Sequence, residues 1–307
     1  MIPVICIEGP TASGKSAVAM KLARAFDTEI VSADSRQIYK YLDIGTAKPD
    51  INTLSEIKHH LIDVIYPDQK YSAGAFANDA ELIINTMHEE SKIPIICGGS
   101  MLYIKSLLYG LSDIPPISLE TSLQTEKFMK THTLAESFEF VSKIDQKFAS
   151  LISPNDKQRI FRALDVWFAF EKPLTDFWTD TEIRCQYKPF RIYIKRERNE
   201  LYSRINHRML SMIKQGLIKE IKSILDMGYS TKDYGLNSVG YVEFIETKGL
   251  KDDVHLESCI QSASQHSRNL AKRQITWYNK TEFDFILDDD DVDINVLKDD
   301  ILTFFEK

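Results

Sequence analysis

A glycine-rich loop that directly follows an apolar strand is the feature that most constrains this chain. Residues 3–7 are apolar throughout, which is typical of a strand buried on both faces of a sheet. The strand runs into glycine, four further residues, glycine, lysine and serine, which is the pattern of a phosphate-binding loop. The loop consists of Gly9, Pro10, Thr11, Ala12, Ser13, Gly14, Lys15 and Ser16.

Each part of this loop has a physical role in holding phosphate. Gly9 and Gly14 permit backbone conformations that a side chain would forbid, so successive N–H groups can point at phosphate oxygens. The helix predicted to start near Gly14 adds the positive end of its dipole. Lys15 is placed to reach the terminal phosphate, and Ser16 is placed to coordinate Mg²⁺. We therefore predict a phosphorylated ligand and a magnesium ion at this loop.

The remaining apolar pattern predicts an α/β fold, a parallel sheet of the phosphate-loop type flanked by helices. Strands and helices alternate in the first part of the chain, which gives parallel strands with helices on both faces. Ligands of such sheets bind at the carboxyl ends of the strands, where this loop lies. The predicted strands are 3–8, 29–33, 61–65, 93–97 and 190–195, and the predicted helices are 15–26, 73–91 and 100–109.

A change of pattern near residues 113–116 predicts an insertion. Residues 117–188 look helical and carry no obvious strand, whereas strand character resumes at residue 190. We predict a core of residues 1–114 and 189–307, interrupted by an all-helical insertion, or lid, at 115–188. Long helices are expected in the second part of the core, at 197–228, 236–248 and 254–280, followed by a short apolar segment at 283–287.

Composition and cysteine spacing indicate the cytoplasm. No run approaches the roughly 18 apolar residues of a membrane helix, and the N-terminal strand is unlike a signal peptide. The four cysteines, Cys6, Cys97, Cys185 and Cys259, are far apart and form no Cys-x-x-Cys pair, which argues against a metal cluster or a disulfide framework. We expect reduced cysteines, a cytoplasmic location, a monomer and no membrane contact.

The charge distribution leaves a nucleic-acid partner open. The net charge is −7, yet residues 184–208 contain eight Lys or Arg and two acids. A second basic stretch lies at 268–280, and acidic residues concentrate at 288–293. A local basic surface can bind phosphates on an acidic chain, but solvated helix faces would give the same pattern.

Three further segments carry candidate chemistry. Asp34 follows the second predicted strand, where it could cap a helix or accept a proton from a nucleophile near the phosphates. The turn at 98–100, which ends in Ser100, is either a second anion site or an ordinary turn. The loop at 43–49 ends in a basic residue and a proline, and an ordinary turn is its simplest reading.

A helical pattern near residue 158 spaces polar groups along one face. Arg159 and Arg162 are three residues apart and share a helix face. Guanidinium groups suit phosphates and base edges. Salt bridging between helices is the alternative.

Together these segments resemble the tRNA dimethylallyltransferase family, also called tRNA isopentenyltransferases. The resembling segments occur in the family's order and cover most of the chain. They are 9–16, 32–39, 43–49, 98–103, 156–166 and 272–277.

The resemblance implies a magnesium-dependent prenyl transfer. The family attaches a dimethylallyl group to the exocyclic amine of the adenosine just 3′ of the tRNA anticodon, so the loop would hold dimethylallyl diphosphate. Asp34 would be the general base, and Lys15 and Ser100 would be further catalytic residues. Ser100 stands where the family usually has threonine. The residues expected to contact the tRNA anticodon stem-loop are Asp34, Ser35, Arg36, Gln37, Ser100, Gln158, Arg159, Ile160, Phe161 and Arg162.

Three other functions remain open from the sequence. One keeps the prenyl transfer but uses AMP or ATP as the acceptor. Another is a small-molecule kinase with ATP in the loop, although no convincing Asp-x-Asp motif or arginine-rich lid stands in a kinase arrangement. A third is a non-catalytic, nucleotide-binding RNA protein. The predicted insertion and the helix at residues 158–162 favour tRNA as the acceptor.

Overall fold

The computed structural model describes residues 1–112, 114–178, 186–247, 253–288 and 292–307. The chain forms two compact units, the first made of Met1–Gly110 with Ile183–Lys307 and the second of Leu111–Glu182. Arg184 and Cys185, the end of the helix predicted at 236–248, and most of the acidic run at 288–293 lie outside the described residues. No helix in the described ranges is long and apolar enough to span a membrane.

Within the part of the chain that the structure describes, a parallel sheet of six strands runs through the first unit. The strands are β1 (Ile2–Glu8), β2 (Ile30–Ser32), β3 (His59–His60), β4 (Ile95–Gly98), β5 (Tyr187–Ile194) and β6 (Phe285–Leu287). Their spatial order is β3-β2-β4-β1-β5-β6, and every neighbouring pair is parallel. The predicted α/β fold with a parallel sheet is confirmed.

The apolar first strand is buried on both faces of the sheet. Val4 and Cys6 belong to one apolar cluster, and Ile5 and Ile7 belong to another. Successive side chains of a strand point to opposite faces, so each cluster lies on one side of the sheet. This double burial explains why the strand is apolar at every position and not only at alternate ones.

Helices flank the sheet on the strand connections and in the C-terminal half of the unit. They are α1 (Lys15–Phe26), α2 (Ile51–Glu56), α3 (Ala73–Glu89), α4 (Met101–Tyr109), α9 (Arg198–Gln215), α10 (Leu217–Asp226), α11 (Val242–Glu246), α12 (Asp253–Tyr278) and α13 (Ile294–Glu306). The second unit contains α5 (Leu119–Thr131), α6 (Leu134–Ile144), α7 (Gln146–Ala149), α8 (Lys157–Phe170) and a 3₁₀ turn at Leu174–Phe177.

Three predicted elements differ from the structure. The third strand was placed at 61–65, but β3 is His59–His60, and Ile65 makes a single bridge to Tyr39. The helix predicted at 197–228 is two helices, because Gly216 adopts a left-handed φ of 109° and ends α9. The helix predicted at 236–248 shortens to Val242–Glu246.

The second unit has an apolar core of its own, which includes Val141, Ile160 and Leu164. Side chains cap its helices. Thr133 and Glu136 form a reciprocal capping box at the start of α6, and Asp156 accepts the Arg159 N–H at the start of α8. Helices, turns and loops make up its described residues, and β5 begins only at Tyr187.

Candidate functional site

Strand order brings three separate loops together at one edge of the sheet. β4 lies between β1 and β2, with Gly98 opposite Glu8 and Cys97 opposite Ser32. The turn after β4 therefore lies between the loop after β1 and the Asp34 turn after β2. The backbones approach so closely that a Cβ on Gly98 would lie 2.0 Å from the Ala33 carbonyl oxygen.

The loop after β1 has the conformation of an anion cradle. Ala12 has a φ of 63°, and Gly14 has a φ of 98° at the N-cap of α1. Alternating left- and right-handed residues turn successive N–H groups to one side, which is how a backbone nest holds phosphate. Lys15 Nζ donates a hydrogen bond to the Pro10 carbonyl oxygen over 2.7 Å, so the lysine curls back over the loop.

The electrostatics of Lys15 suit an anion. Burial of its ammonium lowers the pKa of Lys15 to about 8, and the Asp34 carboxylate nearby acts in the opposite direction. The Arg208 guanidinium adds to the lowering. A bound diphosphate would supply the negative charge that favours the protonated lysine.

Asp34 uses one carboxylate oxygen to shape its own turn. Its Oδ1 accepts hydrogen bonds from the N–H groups of Arg36, at 2.8 Å, and Gln37, at 3.3 Å. The residues that follow form a turn, not a helix, so Asp34 is not a helix cap. Oδ2 accepts no hydrogen bond within the described ranges and remains available to a ligand.

The turn after β4 is tied to the Asp34 turn through a hydroxyl. Ser100 Oγ accepts the Ser35 N–H over 2.9 Å. The Ser100 N–H donates in turn to the Ala33 carbonyl oxygen over 3.2 Å. Ser100 therefore fixes the register between the two turns.

Gln37 and the loop at 43–49 form a braced wall of the site. Gln37 Nε2 donates to the carbonyl oxygens of Thr46 and Ala47, at 3.3 and 3.1 Å. The Glu220 carboxylate accepts three consecutive N–H groups, from Asp43, Ile44 and Gly45, over 2.6 to 3.1 Å. The sequence suggested an ordinary turn here, whereas the structure shows a loop held by side chains from two sides.

Lys48 also holds the loop at 43–49 in place through its ammonium group. Its buried Nζ donates to the Tyr39 carbonyl oxygen over 2.6 Å and pairs with Asp43 and Asp63. The basic residue that ends the loop thus has a structural role. Arg36 is held likewise, because its Nη1 donates to the Tyr234 carbonyl oxygen over 2.8 Å.

Two residues of the site were given no role from the sequence. Arg208 on α9 donates to Thr11 Oγ1 over 2.5 Å, and Gln274 on α12 accepts the Thr11 N–H over 2.8 Å. Both lie about 200 residues or more from the loop they contact, so local pattern cannot reveal the pairing. The available signal for Arg208 was polar spacing on a helix whose other face, with Ile205 and Met209, is buried.

The predicted basic stretch at 184–208 divides between several surroundings. Arg191 is buried in β5 and pairs with Glu8 over 2.7 Å, so it serves the sheet. Arg204 pairs with Glu200 over 2.8 Å. Arg204 and Arg208 line the site cavity. The stretch is therefore not one continuous basic surface.

These groups surround a cavity of about 990 Å³ within the first unit. It is large enough for two substrates of modest size to meet, since ligand cavities commonly span about 300 to 1,000 Å³. Among the described residues, no group of three or more His, Cys, Asp or Glu could hold a metal ion alone. The lining residues predicted from the sequence are Thr11, Ala12, Ser13, Gly14, Lys15, Ser16, Asp34, Ser35, Arg36, Gln37 and Ser100. Gly9 and Pro10, the first two residues of the loop, are buried.

The helix at residues 158–162 belongs to the second unit. Gln158, Arg159 and Arg162 are exposed. Arg159 lies 3.4 Å from Asp156 and Arg162 lies 4.0 Å from Asp165, so both pairs are local to one helix. Ile160 is fully buried and Phe161 is half-buried, so the side chain of Ile160 packs in the core and presents no surface.

The fold and the cavity define a phosphate-loop α/β protein whose anion cradle adjoins a carboxylate and a hydroxyl. The chain belongs to the IPP transferase family, whose model matches residues 37–281. The resemblance drawn from the sequence is thus confirmed, and the chain is an enzyme.

Individual relatives are similar in sequence to this chain over nearly its whole length. A tRNA dimethylallyltransferase from Thermoanaerobacter sp. (strain X514) is 38% identical over 287 residues, covering 92% of this chain and 90% of the relative. One from Alkaliphilus oremlandii (strain OhILAs) is 38% identical over 282 residues, covering 91% and 89%.

Solved structures are similar over the same extent. The tRNA delta(2)-isopentenylpyrophosphate transferase of Staphylococcus epidermidis has a TM-score of 0.69 at 31% identity, covering 100% of this chain and 99% of that one. A eukaryotic dimethylallyltransferase, described as acting on tRNA, has a TM-score of 0.78 at 25% identity, covering 90% and 70%.

Proposed function

We propose that this chain transfers the dimethylallyl group of dimethylallyl diphosphate to the exocyclic amine of the adenosine just 3′ of a tRNA anticodon. The observation that carries this proposal is the placement of Lys15 and Asp34 in one cavity. The two charges lie close enough for the carboxylate to favour the protonated lysine. Lys15 suits an anionic leaving group, and Asp34 supplies a proton acceptor in the same cavity.

The cradle after β1 would bind the diphosphate. Its N–H groups, the N-terminus of α1 and Lys15 would stabilise the negative charge that grows as diphosphate leaves. The hydroxyl of Ser16 suits Mg²⁺, which takes few protein oxygens and completes its shell with phosphate and water. When bound there, Mg²⁺ would add charge stabilisation to the same diphosphate.

The turns after β2 and β4 would bind the acceptor. The amine attacks the first carbon of the prenyl group, a C–N bond forms as the C–O bond breaks, and diphosphate departs. The amine becomes acidic as it reacts, and Asp34 takes its proton. Ser35, Gln37 and Ser100 border the space where the adenine ring of the acceptor would lie. The base has to leave its stack in the anticodon loop to enter this cavity.

The second unit would contact the tRNA backbone. Gln158, Arg159 and Arg162 are exposed along α8. Asp156 pairs with Arg159 and Asp165 with Arg162, and both guanidinium groups stay in contact with solvent. Exposed ion pairs are weak, so phosphates can compete for these arginines.

A parallel acceptor assay tests this function. The protein is mixed with Mg²⁺ and labelled dimethylallyl diphosphate, and tRNA, AMP or ATP is added to separate reactions. We expect label in tRNA, mapped to the adenosine 3′ of the anticodon, and none in AMP or ATP. Label in AMP or ATP alone, or transfer of the ATP γ-phosphate to a small molecule, would overturn the proposal.

A further inference from the structure

The side chain of Gln274 joins two loops of the site that are far apart in sequence. Its Oε1 accepts the Thr11 N–H over 2.8 Å, and its Nε2 donates to the Gly99 carbonyl oxygen over 2.9 Å. Gln274 itself is only 4% exposed, and both bonds are partly buried. A buried amide with both ends paired holds its neighbours in one arrangement.

The side-chain amide of Gln274 suits this pair of partners. The loop at Thr11 presents a donor and the turn at Gly99 presents an acceptor, so the amide has one orientation that satisfies both. A carboxylate could accept from Thr11 but could not donate to Gly99. An alanine would remove the side-chain partner of a partly buried N–H and of a partly buried carbonyl.

Gly99 has no side chain at the point where the amide approaches. A Cβ on Gly99 would lie 2.8 Å from Gln274 Nε2, whereas its next contacts, Gly9 O and Lys15 Nζ, would be at an ordinary 3.6 and 3.8 Å. The φ of Gly99 is not in the left-handed region, so its backbone also suits alanine. Gln274 is therefore the first group that a side chain at this position would displace.

We propose that Gln274 is a positioning residue that locks the phosphate loop to the turn after β4 and so sets the distance between the two substrates. The lock continues to the acceptor side, because Ser100 Oγ accepts the Ser35 N–H beside Asp34. Donor and acceptor loops are thus joined through Thr11, Gln274, Gly99, Ser100 and Ser35. This inference deepens the proposed function and rests on it for its kinetic test.

A double-mutant cycle tests the lock. Gln274→Ala, Gly99→Ala and the double variant are compared with wild type in single-turnover transfer at saturating dimethylallyl diphosphate and tRNA. A misplacement near 1 Å costs about 10²-fold in rate, which we expect for each single variant. The double variant should be no slower than the slower single one, because the added methyl group no longer meets an amide.

The control is Gln261→Ala, which truncates an exposed glutamine on the same helix and should keep the wild-type rate. If Gln274→Ala transfers at the wild-type rate while its melting temperature falls, Gln274 is merely structural and the proposal is wrong. Independent losses that multiply to about 10⁴-fold in the double variant would also overturn it.

A binding measurement separates this inference from the proposed function. Inorganic diphosphate with Mg²⁺ is titrated into each variant by calorimetry, which requires no transfer activity. We expect affinity to fall about tenfold in Gln274→Ala, the usual effect of losing a buried hydrogen bond, with no further loss in the double variant. Unchanged affinity in Gln274→Ala would contradict the lock even if the wild type proved inactive on tRNA.

Discussion

The Ser35 N–H donates a hydrogen bond to Ser100 Oγ over 2.9 Å and so joins the ends of two neighbouring strands. The bond holds the turn that carries Asp34 against the turn that starts α4. Ser100 makes no side-chain hydrogen bond to cap that helix. Its hydroxyl therefore serves the site and not the helix, which makes the residue a clean target for substitution.

Ser100→Ala should slow prenyl transfer about tenfold, because the Ser35 N–H then loses its partner in a half-buried site. Ser100→Thr keeps the hydroxyl and should keep the wild-type rate. The measurement is single-turnover transfer, with melting temperature as a check on folding. Equal rates in the alanine and threonine variants would show that the hydroxyl does not shape the site.

Diphosphate affinity should fall as the pH rises through about 8, the value to which burial lowers the pKa of Lys15. The neutral amine that prevails above that pH no longer attracts an anion. Between about pH 7 and about pH 9 the weakening should approach tenfold. Calorimetry with inorganic diphosphate and Mg²⁺ measures it, and Lys15→Met reports the titration of diphosphate itself.

The same group links stability to pH in the ligand-free protein. The unfolded chain keeps the lysine proton up to about pH 10, whereas folded Lys15 loses it near about 8. The unfolded state binds more protons in this window, so the contribution of Lys15 to the free energy of unfolding rises with pH. Urea unfolding of the wild type and of Lys15→Met measures the effect across this pH window. A Lys15→Met variant whose unfolding or diphosphate binding shows the wild-type pH dependence would contradict this account.

Replacing Arg159 and Arg162 together with alanine should weaken tRNA binding and flatten its dependence on salt, because two phosphate contacts are lost. Binding of dimethylallyl diphosphate should not change. The matched control is Lys130→Ala with Lys143→Ala, which removes two exposed, ion-paired charges from α5 and α6. If both double variants lower tRNA affinity equally, α8 has no specific role.

Gly45→Ala should destabilise the protein by about 1 to 3 kcal/mol, the usual cost of overpacking. A Cβ at this position would lie 2.5 Å from the ring of Tyr241, which is fully buried and donates to Glu220. Ala47→Gly in the same loop is the control, since Ala47 has a φ of 53° that glycine adopts readily. Urea unfolding measures both, and equal stabilities would contradict the packing argument.

The sequence predicted those features of the fold that depend on local pattern. The apolar strand and the glycines around Lys15 carry enough information to predict the cradle, and strand alternation predicts the parallel sheet. The third strand was misplaced because the apolar run at 61–65 is longer than β3 itself, which pairs through His59 and His60. Gly216 carried a helix-ending signal that the continuous amphipathic pattern around it obscured.

The contacts that complete the site depend on the fold and not on local pattern. Gln274 and Arg208 reach Thr11 across 263 and 197 residues, and no periodicity encodes such a pairing. The dual role of Asp34 also needed the structure, since one oxygen holds the turn and the other stays available. Magnesium binding, the monomeric state and the cytoplasmic location stay predictions.

The central claim is that Asp34 removes the amine proton during prenyl transfer, and Asp34→Asn tests it most directly. The amide keeps an oxygen for the Arg36 and Gln37 N–H groups, so the turn, tRNA affinity and melting temperature should be nearly unchanged. Single-turnover transfer at saturating substrates isolates the chemical step. The account predicts a rate lower by about 10²- to 10⁴-fold, and a wild-type rate in the asparagine variant would contradict it.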